Sequence, residues 1–395
     1  MVKNGKRNSF CLSICLRNLH IFTGGVYLYH PTCVTLCILI SVSMYDILSA
    51  NVAELIGPAV GKTVESSRAK TDPWYIFESA GKRTAAEAIP LIEEVNAIIL
   101  LEYLNGEGHL AETIPATRCS PFGGEYFVDS RIVYLPPKGR VIFVGDTHAD
   151  SISTEKVVRQ TEFIETMQLG REEIYLVFLG DYIDRGSNNP RNLEIVLGLK
   201  KQYPNNVVLL TGNHETGLWF PTNFVSSVMK HFQPNFSKEQ FTIIQDYEDL
   251  FRHLPVVLVT GNGIIAVHGG IPVKPVKNLH ELKNNETLFE EMRINDPTNV
   301  VASHIPSGRG SGYEFGESIF ENFMAAVGGT VMVRSHEYFP EGYRLFFHNR
   351  LATVFSSGGT SEESGYRKRV RPKYMVASLK EPIDAIETEK HIREF

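Results

Sequence analysis

Five short apolar runs, all beyond residue 140, constrain the fold of this chain most strongly. Each is rich in β-branched, aromatic or leucine side chains, which is typical of buried strands. The runs cover residues 141–144, 174–179, 207–210, 264–267 and 331–333. Between the first two, residues 154–169 carry apolar side chains at helical spacing and predict a strand-helix-strand unit. The chain is therefore predicted to be an α/β protein from about residue 139.

Each run is followed by side chains that can bind a metal ion or take part in catalysis. In chain order these endings are Gly145-Asp146-Thr147-His148, Gly180-Asp181-Tyr182-Ile183-Asp184-Arg185-Gly186, Gly212-Asn213-His214-Glu215, His268-Gly269-Gly270 and Ser335-His336. One Asp or His at a strand end is usually a turn or core residue, but turn chemistry does not explain five such endings. Ligands of open α/β sheets gather beyond the carboxyl ends of the strands, so we expect these residues to converge.

The types of these residues indicate a metal site. Carboxylate, imidazole and amide oxygen suit borderline divalent ions such as Mn, Fe or Zn, and the lack of cysteine argues against a closed structural zinc site. The donors exceed the needs of one open site, and a carboxylate can bridge two ions about 3.5–4 Å apart, so two ions are expected. Such a pair activates a shared water for displacement at phosphorus. The expected reaction is hydrolysis of a phosphate ester.

The series of motifs resembles the metallo-dependent phosphoprotein phosphatases, the calcineurin-like serine/threonine phosphatases. The resemblance covers residues 139–360 and continues through Asn295-Asp296-Pro297, Gly308-Arg309-Gly310, Val333-Arg334-Ser335-His336 and Glu341-Gly342-Tyr343. It implies a metallophosphoesterase-type α/β/β/α sandwich of two mixed sheets flanked by helices. It also implies that phosphoserine or phosphothreonine in a phosphoprotein or phosphopeptide is hydrolysed by a metal-bridging hydroxide, without a covalent phosphoenzyme.

The same resemblance assigns roles to single residues. It implies that Asp146 and His148 bind the first ion, that Asp181 bridges, and that Asn213, His268 and His336 bind the second. His214, held by Asp184, would be the general acid, because the alkoxide that leaves phosphoserine must be protonated. Arg185 and Arg309 would hold the nonbridging phosphate oxygens, since a guanidinium fork matches phosphate. Manganese is the expected metal, with iron or zinc as alternatives.

Two positions depart from the family's pattern. Ala149 stands where the family usually has Gly, so the turn after His148 is expected to differ. Thr360 stands where the family has a tyrosine at the mouth of the site, which affects substrate contacts rather than the metal centre. One alternative is therefore a metallophosphoesterase that acts on small phosphate esters or dinucleotide polyphosphates. Another is a noncatalytic binding scaffold, against which the complete ligand set argues.

Composition and the remaining segments complete the predicted organisation. A formal net charge of −6 gives no reason to expect nucleic-acid binding, and a cytoplasmic protein is expected. Residues 44–138 are predicted to be a helical segment packed on a catalytic domain over residues 139–362. Residues 363–395 are predicted to be a basic, then mixed-charge tail. Its basic run, residues 367–373, could bind an acidic partner, but a solvated tail is favoured.

Residues 1–43 differ from the rest of the chain. Four of the five cysteines lie there, in apolar sequence that lacks the usual zinc-knuckle spacing, so a zinc site is not favoured. Residues 18–44 contain no Lys, Arg, Asp or Glu, but Gly, His and Pro interrupt them, so membrane contact is not favoured either. A poorly folded extension, or an upstream segment that the native protein lacks, fits this composition better. The sequence does not indicate whether regulatory subunits bind.

Overall fold

The computed structural model describes residues 72–110, 126–216, 223–232 and 238–395. The predictions for the extension over residues 1–43, for membrane contact by residues 18–44 and for the start of the helical segment lie outside these ranges. Among the described residues, no helix has both the length and the apolar character needed to cross a membrane.

Ten α-helices lie in the described ranges, and most of them form the outer layers. They are α1 (Tyr75–Ser79), α2 (Ala85–Gly106), α3 (Ser151–Gln160), α4 (Phe163–Leu169), α5 (Asn189–Gln202), α6 (Asn223–His231), α7 (Lys238–His253), α8 (Glu286–Ile294), α9 (Glu317–Val327) and α10 (Thr388–His391). The single helix predicted over residues 154–169 is two helices. Glu162 adopts a left-handed φ of 51°, which separates α3 from α4.

Fifteen strands of the described ranges form three sheets. They are β1 (Phe127–Asp129), β2 (Ile132–Leu135), β3 (Arg140–Val144), β4 (Ile174–Phe178), β5 (Val207–Leu209), β6 (Val257–Thr260), β7 (Ile264–Val267), β8 (Asp296–Pro297), β9 (His304–Pro306), β10 (Tyr313–Phe315), β11 (Val331–Arg334), β12 (Tyr343–Phe346), β13 (Leu351–Val354), β14 (Lys373–Ser378) and β15 (Ile392–Glu394). The five runs predicted from the sequence are β3, β4, β5, β7 and β11. The predicted α/β class is confirmed.

Two large sheets of mixed direction carry the architecture. The five-stranded sheet has the order β15-β14-β3-β4-β5, with β3, β4 and β5 parallel. The seven-stranded sheet has the order β1-β2-β6-β7-β11-β13-β12, with β7, β11 and β13 parallel. A bridge between Asp146 and Phe355 joins the end of β3 to the end of β13. The carboxyl ends of strands from both sheets therefore meet at one edge.

Alternate residues of β3 show how the layers are built. Ile142 and Val144 pack in the apolar cluster with α1 to α7, whereas Val141 and Phe143 pack in the cluster between the two sheets. This division follows from the twofold period of a strand. The far face of the seven-stranded sheet packs on α8 and α9. The order of layers is helix, sheet, sheet, helix, so the predicted α/β/β/α sandwich is confirmed.

Two segments differ from the predicted domain boundaries. The helical segment predicted to end at residue 138 contains β1 and β2, which join the seven-stranded sheet by the pairing of β2 with β6. The predicted tail contains β14, which lies between β3 and β15 with Met375 opposite Phe143. Met375 and Ala377 are buried between the sheets. Burial against partners distant in sequence, rather than local composition, makes both segments part of the sandwich.

Candidate metal centre

The five predicted strand endings lie together at the shared edge of the two sheets. Asp146, Asp181 and Asn213 follow the parallel strands β3, β4 and β5, and His268 and His336 follow β7 and β11. The segments that follow β4 and β5 lie very close together, because a Cβ atom on Gly212 would lie 2.1 Å from the Asp181 Oδ1 atom.

Two groups of potential metal ligands share one carboxylate. His148, Asp181 and His214 each offer a ligand atom within 4.8 Å of the others, and so do Asp181, His268 and His336. Asp181 offers both oxygens, Oδ2 at 3.6 Å from His148 Nε2 and Oδ1 at 3.4 Å from His268 Nε2. This is the arrangement expected of a carboxylate between two ions.

The two remaining predicted ligands lie in the same cluster. His148 Nε2 is 3.4 Å from Asp146 Oδ2, and His268 Nε2 is 3.1 Å from Asn213 Oδ1. Asp146 is fully buried, and its Oδ2 atom has no hydrogen-bond partner. A buried, unpartnered carboxylate oxygen is costly unless a cation neutralises it. Together with the carboxylate, imidazole and amide donors, this oxygen shows that the residues fit divalent ions.

Backbone carbonyls orient two of the imidazoles. His148 Nδ1 donates to Ile183 O at 2.8 Å, and His268 Nδ1 donates to Leu179 O at 2.9 Å. Because a carbonyl only accepts hydrogen bonds, each Nδ1 carries a proton, and Nε2, which faces the cluster, is the nitrogen that an ion can bind.

The backbone of the cluster adopts left-handed conformations. The φ angles are 42° at His148, 55° at Ala149, 52° at Asp181, 65° at Asp184 and 71° at His336. Such residues cost about 1–3 kcal/mol each and persist only where the surrounding structure holds them. Ala149, which replaces the family's usual Gly, is one of them. The chain therefore gives up stability here to turn these side chains inward.

Electrostatics keep the bridging carboxylate ionised. Burial raises the pKa of Asp181, but the adjacent His268 and His214 outweigh it and hold that pKa well below its usual value. His214 Nδ1 lies 2.8 Å from Asp184 Oδ2. Burial lowers the pKa of His214, but Asp181 and Asp184 outweigh it and raise the pKa to about 9. The two carboxylates therefore favour the protonated form of His214, whose Nε2 lies 4.0 Å from Asp181 Oδ2.

The two predicted arginines lie at the edge of the cluster. Arg309 Nη1 is 2.9 Å from His336 Nε2, and its Nε is 3.2 Å from Asp296 Oδ2, while 45% of its side chain is exposed. Arg185 is exposed directly after Asp184. The Arg309 guanidinium is thus accessible to a phosphate at the cluster, and Arg185 is exposed on the turn beside it.

Two supporting residues have no role predicted from the sequence. Glu215 accepts hydrogen bonds from the backbone N–H groups of Asp181, Tyr182 and Gly212 at 2.8–2.9 Å. Burial and the charge of Asp181 raise the pKa of Glu215 to about 7. Ser335 donates to Asp146 Oδ1 and accepts from the Asp146 N–H. The one sequence signal for these two residues is that they belong to the Gly-Asn-His-Glu and Ser-His motifs.

A tyrosine that the sequence did not indicate lies against the cluster. The Tyr366 ring stacks on His148 with centroids 5.6 Å apart at 27°, and it also contacts Phe355 and Tyr338. Thr360, at the family's tyrosine position, is exposed. Counting along the family motif points to residue 360, so the approach of residue 366 could not be predicted from spacing.

Comparison with known proteins agrees with this geometry. Residues 139–340 match the calcineurin-like phosphoesterase family, and the chain therefore belongs to that family. Members of this family use divalent metal ions, and the cluster above provides candidate ligands for them.

Individual relatives are serine/threonine phosphatases by name. The PP2A-like serine/threonine-protein phosphatase of Candida albicans is 29% identical over 226 residues, which are 54% of this chain and 50% of that protein. The catalytic subunit of serine/threonine-protein phosphatase 6 of Caenorhabditis elegans is 29% identical over 258 residues, 63% and 73% of the two chains. The chain spans about half the length of the first curated relatives it matches, 48% and 50%.

A solved structure supports the fold. The serine/threonine phosphatase of Saccharomyces cerevisiae with similarity to human phosphatase PP5 aligns with a TM-score of 0.59 at 20% identity. The alignment covers 79% of this chain and 90% of that one. At this identity the likeness establishes the sandwich architecture alone.

Proposed function

We propose that this protein is a metal-dependent phosphoprotein phosphatase that hydrolyses phosphoserine and phosphothreonine. The observation that carries the proposal is that Asp181 lies between His148 on one side and His268 and His336 on the other, with the His214–Asp184 hydrogen bond beside them. The names of the relatives support this substrate class. We further propose two divalent ions, manganese first, with iron or zinc as alternatives, because the donors mix carboxylate, imidazole and amide.

The ligands would divide between the two ions. In this proposal Asp146 and His148 bind the first ion, Asn213, His268 and His336 bind the second, and Asp181 bridges. When bound, the ions would neutralise phosphate charge and lower the pKa of a water placed to attack phosphorus. The chain's own residues hold the imidazoles in place, through the carbonyls of Ile183 and Leu179.

His214 would act as the general acid. Asp184 accepts from His214 Nδ1 and from the N–H of Phe224 at 2.7 Å, so this carboxylate is fixed on both sides. The proton of His214 Nε2 is therefore directed away from Asp184 and toward the cluster. An alkoxide leaving group has a high pKa and needs this proton as the P–O bond breaks.

The two arginines would bind the phosphate. Arg309 is held by Asp296, which also accepts from the buried Arg334 at 2.7 Å, so its guanidinium is oriented before substrate arrives. Arg185 lies on the loop after β4, directly after Asp184. Two guanidinium groups would stabilise the charge on the nonbridging oxygens as it develops in the transition state.

A second candidate is a phosphoesterase of small phosphate esters or dinucleotide polyphosphates. The exposed Thr360 favours it, because it places no aromatic ring where the family has its tyrosine.

Initial rates with added manganese distinguish the two candidates. The substrates are a phosphoserine peptide, a phosphothreonine peptide, diadenosine tetraphosphate and an aryl phosphate. The proposal expects kcat/KM on a phosphopeptide to exceed that on diadenosine tetraphosphate. Inactivity on every phosphopeptide, with hydrolysis of diadenosine tetraphosphate, would replace the proposal by the second candidate. Metal analysis of the purified protein tests the two ions, and a metal content near zero after manganese loading would contradict them.

A further inference from the structure

The segment that carries Tyr366 is a closed loop, which we call the mouth loop and define as residues 357–371. Its two ends are joined, because Gly359 N donates to Val370 O at 2.8 Å and Lys368 N donates to Gly359 O at 2.8 Å. Val370 is buried beneath it. The loop therefore has a defined shape and does not behave as the solvated tail predicted from its charge.

Two carboxylates fasten the mouth loop to the protein. Asp150, fully buried, accepts hydrogen bonds from the hydroxyls of Ser357 and Ser361 at 3.0 and 2.5 Å. Glu363 accepts from Ser151 Oγ at 2.5 Å and from Asn188 Nδ2 at 2.8 Å. These bonds hold the loop against the start of α3 and against the segment that follows Arg185.

A glycine shows that the loop also touches the Arg185 turn. A Cβ atom on Gly365 would lie 2.5 Å from the carbonyl oxygen of Arg185. The next residue, Tyr366, stacks on His148. The loop thus borders the candidate metal centre beside Arg185, one of the two arginines proposed to bind the phosphate.

Four exposed cations lie within five residues after Tyr366, namely Arg367, Lys368, Arg369 and Arg371. We call them the basic cluster. Arg367 lies 3.5 Å from Glu362, but both side chains are largely exposed, and such pairs contribute little. This concentration of positive charge contrasts with the net charge of −6 of the whole chain.

Distance along the chain places residues 367–369 of the basic cluster within reach of residues that flank a bound phosphoresidue. Consecutive Cα atoms are about 3.8 Å apart, so those of residues 367–369 lie within about 11 Å of the Tyr366 Cα. An extended peptide advances about 3.3 Å per residue, so its second and third residues from the phosphate travel a similar distance. Long Lys and Arg side chains can span the remaining distance to the flanking residues of the peptide.

We propose that the basic cluster binds acidic side chains that flank the phosphorylated residue, so that the preferred substrates are acid-flanked phosphopeptides. This inference rests on the proposed phosphoprotein phosphatase function and specifies its substrate class. Exposed carboxylates and cations attract each other weakly one by one, but three or four together give a selectivity of about tenfold, which added salt reduces.

The test compares two charge-reversal variants of the full chain. One carries Arg367→Glu, Lys368→Glu and Arg369→Glu. The matched control carries Lys138→Glu, Arg171→Glu and Lys380→Glu, which change the net charge equally. These three residues are exposed near the opposite ends of β3, β4 and β14. Melting temperatures of both variants confirm that each is folded.

The measurement is kcat/KM on two phosphoserine peptides, one with glutamates and one with lysines on both flanks. We expect the wild type and the control variant to prefer the acid-flanked peptide about tenfold at low salt, mainly through KM. The mouth-loop variant should lose or reverse that preference. A wild type without preference, or a control that shifts it equally, overturns this inference and leaves the proposed function standing. Hydrolysis of an aryl phosphate but of neither peptide overturns both.

Discussion

Two buried charged clusters of this molecule differ in how their charges are balanced. At the candidate metal centre, Asp146 and Asp181 lie among imidazoles and an amide, and one oxygen of Asp146 has no partner. Between α2 and α5, Glu102 faces Lys200 at 2.6 Å, and both side chains are 3% exposed. The first cluster can bind added cations, whereas the second already contains a cation, Lys200.

The second cluster is complete without any added ion. Lys200 also donates to Pro204 O at 2.9 Å, and Tyr126 OH lies 3.3 Å from its Nζ. Burial raises the pKa of Glu102 to about 7 and lowers the pKa of Lys200, although each partner opposes the shift of the other. A satisfied pair holds two elements together, whereas an unsatisfied group of donors marks a place where stability is exchanged for binding.

The largest effect expected is on activity, from Asp181→Asn. Removing the shared carboxylate charge should lower kcat at least about a thousandfold, because both ligand groups depend on it. The melting temperature of the metal-free protein should change much less than the rate, because Asn keeps the shape of the side chain and the Oδ1 acceptor of the His214 N–H. Steady-state rates and thermal melts measure the two quantities, with Asp384→Asn, an exposed carboxylate, as the matched control. Unchanged turnover would contradict the proposed centre.

Lys200→Met should do the reverse, reducing stability and sparing chemistry. It leaves Glu102 buried without its cation, which costs about 3 kcal/mol of unfolding free energy. The double variant Glu102→Leu with Lys200→Met should recover most of that loss. Urea unfolding measures the free energies, and kcat per folded molecule should stay at the wild-type value. A single variant as stable as the wild type would show that the pair is not a structural anchor.

Adding or removing manganese should distinguish the two clusters, because only the candidate metal centre is proposed to bind it. Manganese at about a hundred times its Kd should raise the unfolding free energy by about 2.7 kcal/mol for each ion bound, because it binds the folded chain. In Asp181→Asn this gain should be largely lost, and in Lys200→Met it should persist. Thermal melts with chelator or with manganese give the comparison. An equal gain in both variants would place the binding site elsewhere.

The smallest effect expected is that of Glu215→Gln on metal affinity. Glu215 supports the backbone of Asp181 and Gly212 without facing the ions as a proposed ligand. Changing such an outer partner should weaken manganese binding about tenfold, or about 1.4 kcal/mol. Isothermal titration calorimetry on metal-free protein measures it. An unchanged Kd would mean that Glu215 only joins the strand ends.

Local sequence pattern was sufficient to predict features that lie within one strand and the few residues after it. The apolar runs predicted β3, β4, β5, β7 and β11, and the polar residues after them lie together in the structure. Local pattern failed where the position of a strand depends on pairing with a strand distant in sequence. β14 follows a basic run and resembles a tail in sequence, yet it is the partner of β3 because Met375 and Ala377 complete the apolar layer between the sheets.

By itself the sequence determined the α/β class, the edge at which the chemistry lies and the residues able to bind metal, because strand periodicity and strand-end chemistry are local properties. Only the tertiary structure decided that Tyr366 rather than Thr360 meets His148, that Glu215 and Ser335 support the ligands, and that the loop carrying the basic run contacts the Arg185 turn. These contacts join residues up to 218 positions apart, from His148 to Tyr366, and arise from packing that no local pattern records.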